Sequence, residues 1–190
     1  MKFILASKSP RRKEILNKLN FNFKVIPSNI DESNIDIKIN PIDYCMQLAE
    51  LKAHAISLKY SDHTIIGADT IVVIKNTILN KPKNFQEAFN MLKKLSDNTH
   101  QVITGVSIQN KALNIKFTFH DKTDVTFYQL TDNEITEYIK NYNPMDKSGS
   151  YGIQDGSAIF VKKIIGSYDN IVGFPISKFY HFLKELELDK

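Results

Sequence analysis

Four cations and two hydroxyls crowd one short turn near the start of the chain, Ala6-Ser7-Lys8-Ser9-Pro10-Arg11-Arg12-Lys13. Ser9 is a good helix N-cap, and Pro10 fits the first helical position, where a missing N–H costs nothing. Arg11, Arg12 and Lys13 then lie in the first turn, against the positive end of the helix dipole. Cations there, with free backbone N–H groups and the Ser7 and Ser9 hydroxyls, suit a polyanion such as phosphate. A solvated basic helix start would look the same, and this stretch alone leaves both readings open.

A second chemical feature is one carboxylate, Asp69, inside the most apolar run of the chain, Thr64-Ile65-Ile66-Gly67-Ala68-Asp69-Thr70-Ile71-Val72-Val73-Ile74. An unbroken apolar run reads as a strand buried on both faces. Burying a carboxylate is costly unless a cation, a metal or a set of donors answers it. Gly67 and Ala68 just before it leave room for other groups to approach. A structural role is open to it, but a lone buried carboxylate points to function. Lys52 shares a helical face with Cys45, Ala49 and Ile56, so it either snorkels to water or turns its ammonium inward. Asp31-Glu32 offers adjacent carboxylates in a polar loop over 29–40, where an ordinary solvated acidic loop is the first reading. Segment 144–156 gathers Asp146, Lys147, Gln154, glycines and hydroxyls in an irregular stretch of the kind that carries function more often than core.

The elements that must position these groups follow from pattern. A short strand leads into the Ser9-capped helix, which ends near Asn20, and a second strand covers 21–27. Asn40 and Pro41 open a helix to about Lys59. After the 64–74 strand come a turn and short strand over 75–80. Asn84 caps a helix to Leu95 whose apolar stripe, Phe85, Ala88, Phe89, Leu92 and Leu95, reads as core. Strands over 101–109 and 113–130 form an antiparallel hairpin, marked by the alternation of Ile115, Phe117 and Phe119. Thr131 and Glu134 make a capping box for a helix to about Tyr142. A strand over 158–165, a polar loop over 166–175 and a closing amphipathic helix over 175–188 complete the chain.

The 190 residues allow one domain, or two tightly joined lobes, with a real core. Hydrophobic content of 42% and charged content of 24% are ordinary for a globular protein. The net charge of +4 is spread along the chain, which argues against a nucleic-acid binder. The single cysteine, Cys45, excludes an internal disulfide. Neither a signal peptide nor a membrane span is legible, so a cytoplasmic protein is expected.

Taken in order, the segments resemble the Maf-like family of nucleotide pyrophosphatases. The likeness rests on Ala6-Ser7-Lys8-Ser9-Pro10-Arg11-Arg12, Asp31-Glu32, Leu48-Ala49-Glu50-Leu51-Lys52-Ala53 and Gly67-Ala68-Asp69-Thr70. It continues through Lys81-Pro82, Val102-Ile103-Thr104-Gly105-Val106, Asp146 to Gln154 and Asn170-Ile171-Val172-Gly173-Phe174-Pro175. The resemblance implies one Maf-like domain over 1–190, an α/β fold of the Maf/ITPase-like kind with an elongated mixed sheet flanked by helices, and two lobes with a central cleft. It implies cleavage of a nucleoside triphosphate between the α and β phosphates, giving a monophosphate and pyrophosphate. By the same resemblance Asp69 matches the catalytic proton acceptor, and Ser7, Ser9, Arg11, Arg12, Lys52 and Lys81 match phosphate-binding positions. Glu32 with Asp69 matches a metal site for a divalent cation, Mg²⁺ or Mn²⁺, and Asp146 and Lys147 match the cleft lining. Arg11, Thr70 and Gln154 match the positions that separate subgroups, and resemble the subgroup acting on dTTP and UTP. A homodimer is common in such families. Asn80, Asp155 and Ser167 depart from the pattern, where Gly, Gly and Asp are usual. A nucleotide-binding regulator of cell division or septum formation, without turnover, is the alternative from another class.

Overall fold

A computed structural model describes residues 1–32 and 40–188, so most of the acidic loop expected over 29–40 lies outside the described residues. The chain runs β1 (Phe3–Leu5), α1 (Pro10–Asn17), β2 (Phe23–Val25), α2 (Pro41–Ser57), β3 (Thr64–Ile74) and β4 (Thr77–Leu79). It continues with α3 (Phe85–Leu95), β5 (Thr99–Asn110), β6 (Ile115–Phe127), α4 (Asp132–Tyr142), β7 (Val161–Ile165), α5 (Tyr168–Val172) and α6 (Ile176–Glu185). The seven strands form one sheet in the order β2-β1-β3-β5-β6-β7, with β4 paired to β3. β1 is parallel to both β2 and β3, while β3–β4 and β6–β7 are antiparallel. The result is the mixed α/β fold, a mixed sheet flanked by helices, that the sequence leads one to expect.

Local chemistry sets the element ends. Ser9 caps α1 by accepting the Arg12 N–H, and the Asn40 side chain accepts the Ile42 N–H at 2.8 Å at the start of α2. The β3–β4 turn uses left-handed backbone at Lys75 and Asn76, as a tight hairpin requires. The capping box of α4 is complete, with Thr131 and Glu134 each bonded to the other's backbone N–H.

By its contacts the chain divides into two compact units. The first comprises Met1–Thr70, Thr104–Asp121 and Gly173–Lys190, the second Ile71–Ile103 and Lys122–Val172. In the first, Ile4, Ala6, Ala53, Ile56 and Ile65 form a buried cluster, and Phe117 and Phe119 pack on Phe182 of α6. In the second, the Phe127 ring packs on His100, Tyr151 and Phe160. No helix among the described residues is long and apolar enough to cross a membrane.

Three local expectations are corrected. β7 starts at Val161, not 158, because residues Gly156–Phe160 wind into a 3-10 helix capped by the Asp155 side chain. The polar loop over 166–175 holds the helix α5. Ser167 Oγ accepts the Asn170 N–H at 3.3 Å, and Asn170 Nδ2 donates to Val102 O and Thr123 Oγ1, so these bonds rather than apolar periodicity shape the segment. Phe85 is 41% exposed and not core, because the first turn of α3 extends past the packed stripe of Ala88, Leu92 and Leu95. Asn80, where the family pattern has Gly, accepts the Gly149 N–H on its carbonyl at 3.3 Å.

Candidate active site

Every residue of β3 is buried except Thr70, which is half-buried. Asp69 is therefore a carboxylate on a buried strand, and α2 supplies its counter-charge. Lys52 Nζ lies 2.6 Å from Asp69 Oδ1 and 2.8 Å from Glu32 Oε1. Lys52 is itself only 8% exposed, which settles its orientation: the ammonium turns inward. Gly67 makes the approach of α2 to β3 feasible. A Cβ there would stand 2.2 Å from the Ala49 carbonyl oxygen and 2.6 Å from the Ala53 nitrogen. Cys45, one turn up α2, donates its S–H to Asp69 O at 3.3 Å and accepts the Gly105 N–H at 3.1 Å. Burial first, then the Asp69 charge, pushes the Cys45 thiol far up, so it remains protonated as a buried spacer. Tyr44 is also buried, and burial followed by the charges of Asp69 and Glu32 raises its phenol above the ordinary value.

The opening turn is organised around Arg12. Its Nε donates to Gly173 O at 2.9 Å, Nη1 to Ser7 Oγ at 3.1 Å and Nη2 to Thr70 Oγ1 at 2.9 Å. One guanidinium thus ties the Ser7–Ser9 turn, β3 and the residue before Phe174 together. Burial lowers the Arg12 pKa from its ordinary value, and the Asp69 charge opposes that. The Ser7 Oγ also accepts the Ser9 N–H at 3.2 Å, so both of its lone pairs are used and its O–H proton is what it can offer a ligand. Thr70 Oγ1 contacts Thr104 Oγ1 at 3.0 Å and donates to Gly173 O at 3.3 Å, which makes its hydroxyl a junction within the protein.

The first unit thereby holds two bonded sets, Ser7, Ser9, Arg12 and Thr70 in one and Glu32, Lys52 and Asp69 in the other. They meet at the neighbouring residues Asp69 and Thr70, with Arg11 half-buried beside Arg12 in the first turn of α1. Lys81, Asp146, Lys147 and Gln154 belong to the second unit. There Lys147 Nζ pairs with Asp146 Oδ1 at 3.1 Å and Asp155 Oδ2 at 3.7 Å, while Lys81 and Gln154 are exposed. Sequence reading alone missed Tyr44, Thr104 and the Gly173 carbonyl. Thr104 and Gly173 lie in segments that stood out only as landmarks, and a backbone carbonyl leaves no residue-type signal.

Among the described residues no group of three or more His, Cys, Asp or Glu side chains gathers to hold a metal. Glu32 and Asp69 nevertheless converge on one ammonium, so two carboxylates lie close together. Hard oxygen donors in that number suit a cation that takes its remaining ligands from water and substrate phosphates.

The fold is a mixed α/β one built around this carboxylate–lysine–arginine set, and the chain belongs to the Maf-like protein family, whose model matches residues 2–186. A dTTP/UTP pyrophosphatase of Bacillus cereus (strain G9842) is 45% identical over 188 residues, covering 99% of this chain and 97% of that one. Another protein of that name, from Bacillus anthracis (strain CDC 684 / NRRL 3495), is 46% identical over 188 residues, again 99% of this chain and 97% of that one. The Staphylococcus aureus Ham1 protein matches 67% of this chain and 72% of its own with a TM-score of 0.48 and 14% identity, too distant a likeness to bear on fold or chemistry.

Proposed function

We propose that residues 1–190 form one pyrophosphatase domain that hydrolyses dTTP and UTP to the monophosphate and pyrophosphate. The observation that carries catalysis is the buried Asp69 with Lys52 at 2.6 Å and Glu32 on the same ammonium. The names of relatives at 45–46% identity over 99% of the chain support the substrate class. A triphosphate repels an incoming oxygen nucleophile, so the site must neutralise charge and aim the attack. Asp69 accepts a proton from the water that attacks the α-phosphorus; the α–β bridging P–O bond breaks, and pyrophosphate leaves with its electron pair. Ser7 and Ser9 hydroxyls, Arg11 and the ammonium groups of Lys52 and Lys81 bind phosphate oxygens, and Arg12 holds the turn that presents them. Asp146 and Lys147 line the substrate cleft. Arg11 and Gln154 select the nucleotide, with the Gln154 amide offering a donor and an acceptor to a pyrimidine edge. Thr70 contributes to selection by fixing that turn. Glu32 and Asp69 hold a divalent cation, Mg²⁺ or Mn²⁺, which when bound screens phosphate charge and makes water more acidic. The protein acts in the cytoplasm as a homodimer on free nucleotides, not on nucleic acid.

Asp69→Asn tests the assignment. It keeps the shape of the side chain and leaves Lys52 its Glu32 partner, so the protein stays folded while kcat falls by about 10²–10⁴-fold. Near-wild-type turnover in the folded variant would remove Asp69 from the mechanism.

A further inference from the structure

The segment carrying Lys147 and Gln154 holds only short 3-10 turns, Pro144–Asp146 and Ser148–Ser150, but is rich in internal bonds. Asp155 Oδ1 accepts the Tyr138 hydroxyl proton at 3.0 Å and the Ser157 N–H at 3.1 Å, and its Oδ2 faces Lys147 Nζ at 3.7 Å. The Tyr138 hydroxyl also accepts the Gly152 N–H at 3.1 Å, and Ser157 Oγ donates to the Gly152 carbonyl at 2.8 Å. Gly152 leaves room for this packing, since a Cβ would stand 2.8 Å from Lys147 Cε and 2.9 Å from Asp155 Oδ2 and would push those side-chain ends aside. Tyr138 is a firm anchor: it sits on α4, its ring packs edge-on against Phe160 and stacks on Tyr142. Burial, then the Asp155 charge, keeps its phenol protonated and able to donate. On either side of the exposed Gln154, Ile153 is buried and Asp155 is bonded down. The side chain that could read a base therefore stands on a backbone fixed at both neighbours.

We propose that Asp155 is a positioning residue: latched to Tyr138 and Ser157, it fixes the 152–157 loop so that Gln154 is presented in one orientation for nucleotide selection. This rests on the proposed role of Gln154 with pyrimidine triphosphates. Ordering the loop before substrate arrives removes that cost from binding. The test uses the full chain with Tyr138→Phe, Asp155→Ala and Asp155→Asn. The first two raise KM for dTTP and UTP about tenfold, leave kcat within about threefold, and narrow the preference for dTTP over GTP. Asp155→Asn keeps an acceptor oxygen for Tyr138 and Ser157 and restores most of KM. In the nucleotide-free proteins, hydrogen exchange at the Gly152 amide in Tyr138→Phe and at the Ser157 amide in Asp155→Ala quickens about tenfold. Unchanged exchange at those amides overturns the latch, whether or not the protein is an enzyme. Faster exchange with unchanged KM and nucleotide preference overturns its role in selection. A wild-type protein that cleaves no triphosphate defeats the functional reading instead, and the exchange rates still decide the latch.

Discussion

Lys52 illustrates what a single residue's position does and does not tell. Helical spacing with Cys45, Ala49 and Ile56 gives the face but not the direction of a long flexible side chain, so sequence left snorkelling and inward pointing open. The structure decides it through two carboxylates, at 2.6 and 2.8 Å. A buried pair is worth little against a hydrophobic replacement of both partners, but removing one strands the other. Lys52→Met should therefore cost about 3–5 kcal/mol of unfolding free energy, since Asp69, 9% exposed, loses its direct counter-charge. Asp69→Asn should cost much less, because Lys52 retains Glu32. Chemical denaturation of the two variants side by side checks the asymmetry, and equal losses would refute it. Arg12 carries a related lesson. Its type and place suggest one more phosphate cation, yet three of its N–H donors are spent on Gly173 O, Ser7 Oγ and Thr70 Oγ1. Residue type announces charge; only the fold shows that it is used to build the turn.

At the level of elements, α2 on β3 is the packing that makes the site. Both are plain in the sequence, β3 to the residue, because an unbroken apolar run and an Asn-Pro helix start are strong local signals. Their closeness rests on Gly67. Gly67→Ala drives a methyl group into the α2 backbone at Ala49 and Ala53, and backbone yields less readily than a side chain. The expected cost is about 3 kcal/mol, the upper end for overpacking, read as a lowered denaturation midpoint at unchanged m-value. A variant as stable as wild type would mean that α2 can retreat without penalty. The elements that sequence missed share a cause. α5 spans only Tyr168–Val172, too short for an apolar period, and the 156–160 turn is wound by a side-chain cap. Short elements made by tertiary bonds leave little local pattern.

Across the molecule, the family landmarks run in order from Ala6 to Pro175 and made the fold class legible, while the hydrogen-bonded interior of each unit was not. His100 is the clearest case. It is 1% exposed, its Nε2 meets the Tyr151 hydroxyl at 2.7 Å, and its Nδ1 has no hydrogen-bond partner among the described residues. Burial lowers its pKa from 6.5 to about 3. The unfolded chain thus takes up a proton that the folded chain refuses. Stability is full above pH 6.5 and falls as the pH drops toward 3, by about 1.4 kcal/mol per unit. Denaturation midpoints between pH 6.5 and 5 should show this slope, and His100→Gln should flatten it; an unchanged slope in the variant would assign it to other groups. The central claim concerns the reaction itself, and the most direct measurement is product identity with dTTP in the presence of Mg²⁺. Pyrophosphate and dTMP in equal amounts, formed about 10²–10⁴-fold more slowly in Asp69→Asn, are the predicted result. Stepwise release of orthophosphate, or tight dTTP binding with no cleavage, would contradict it.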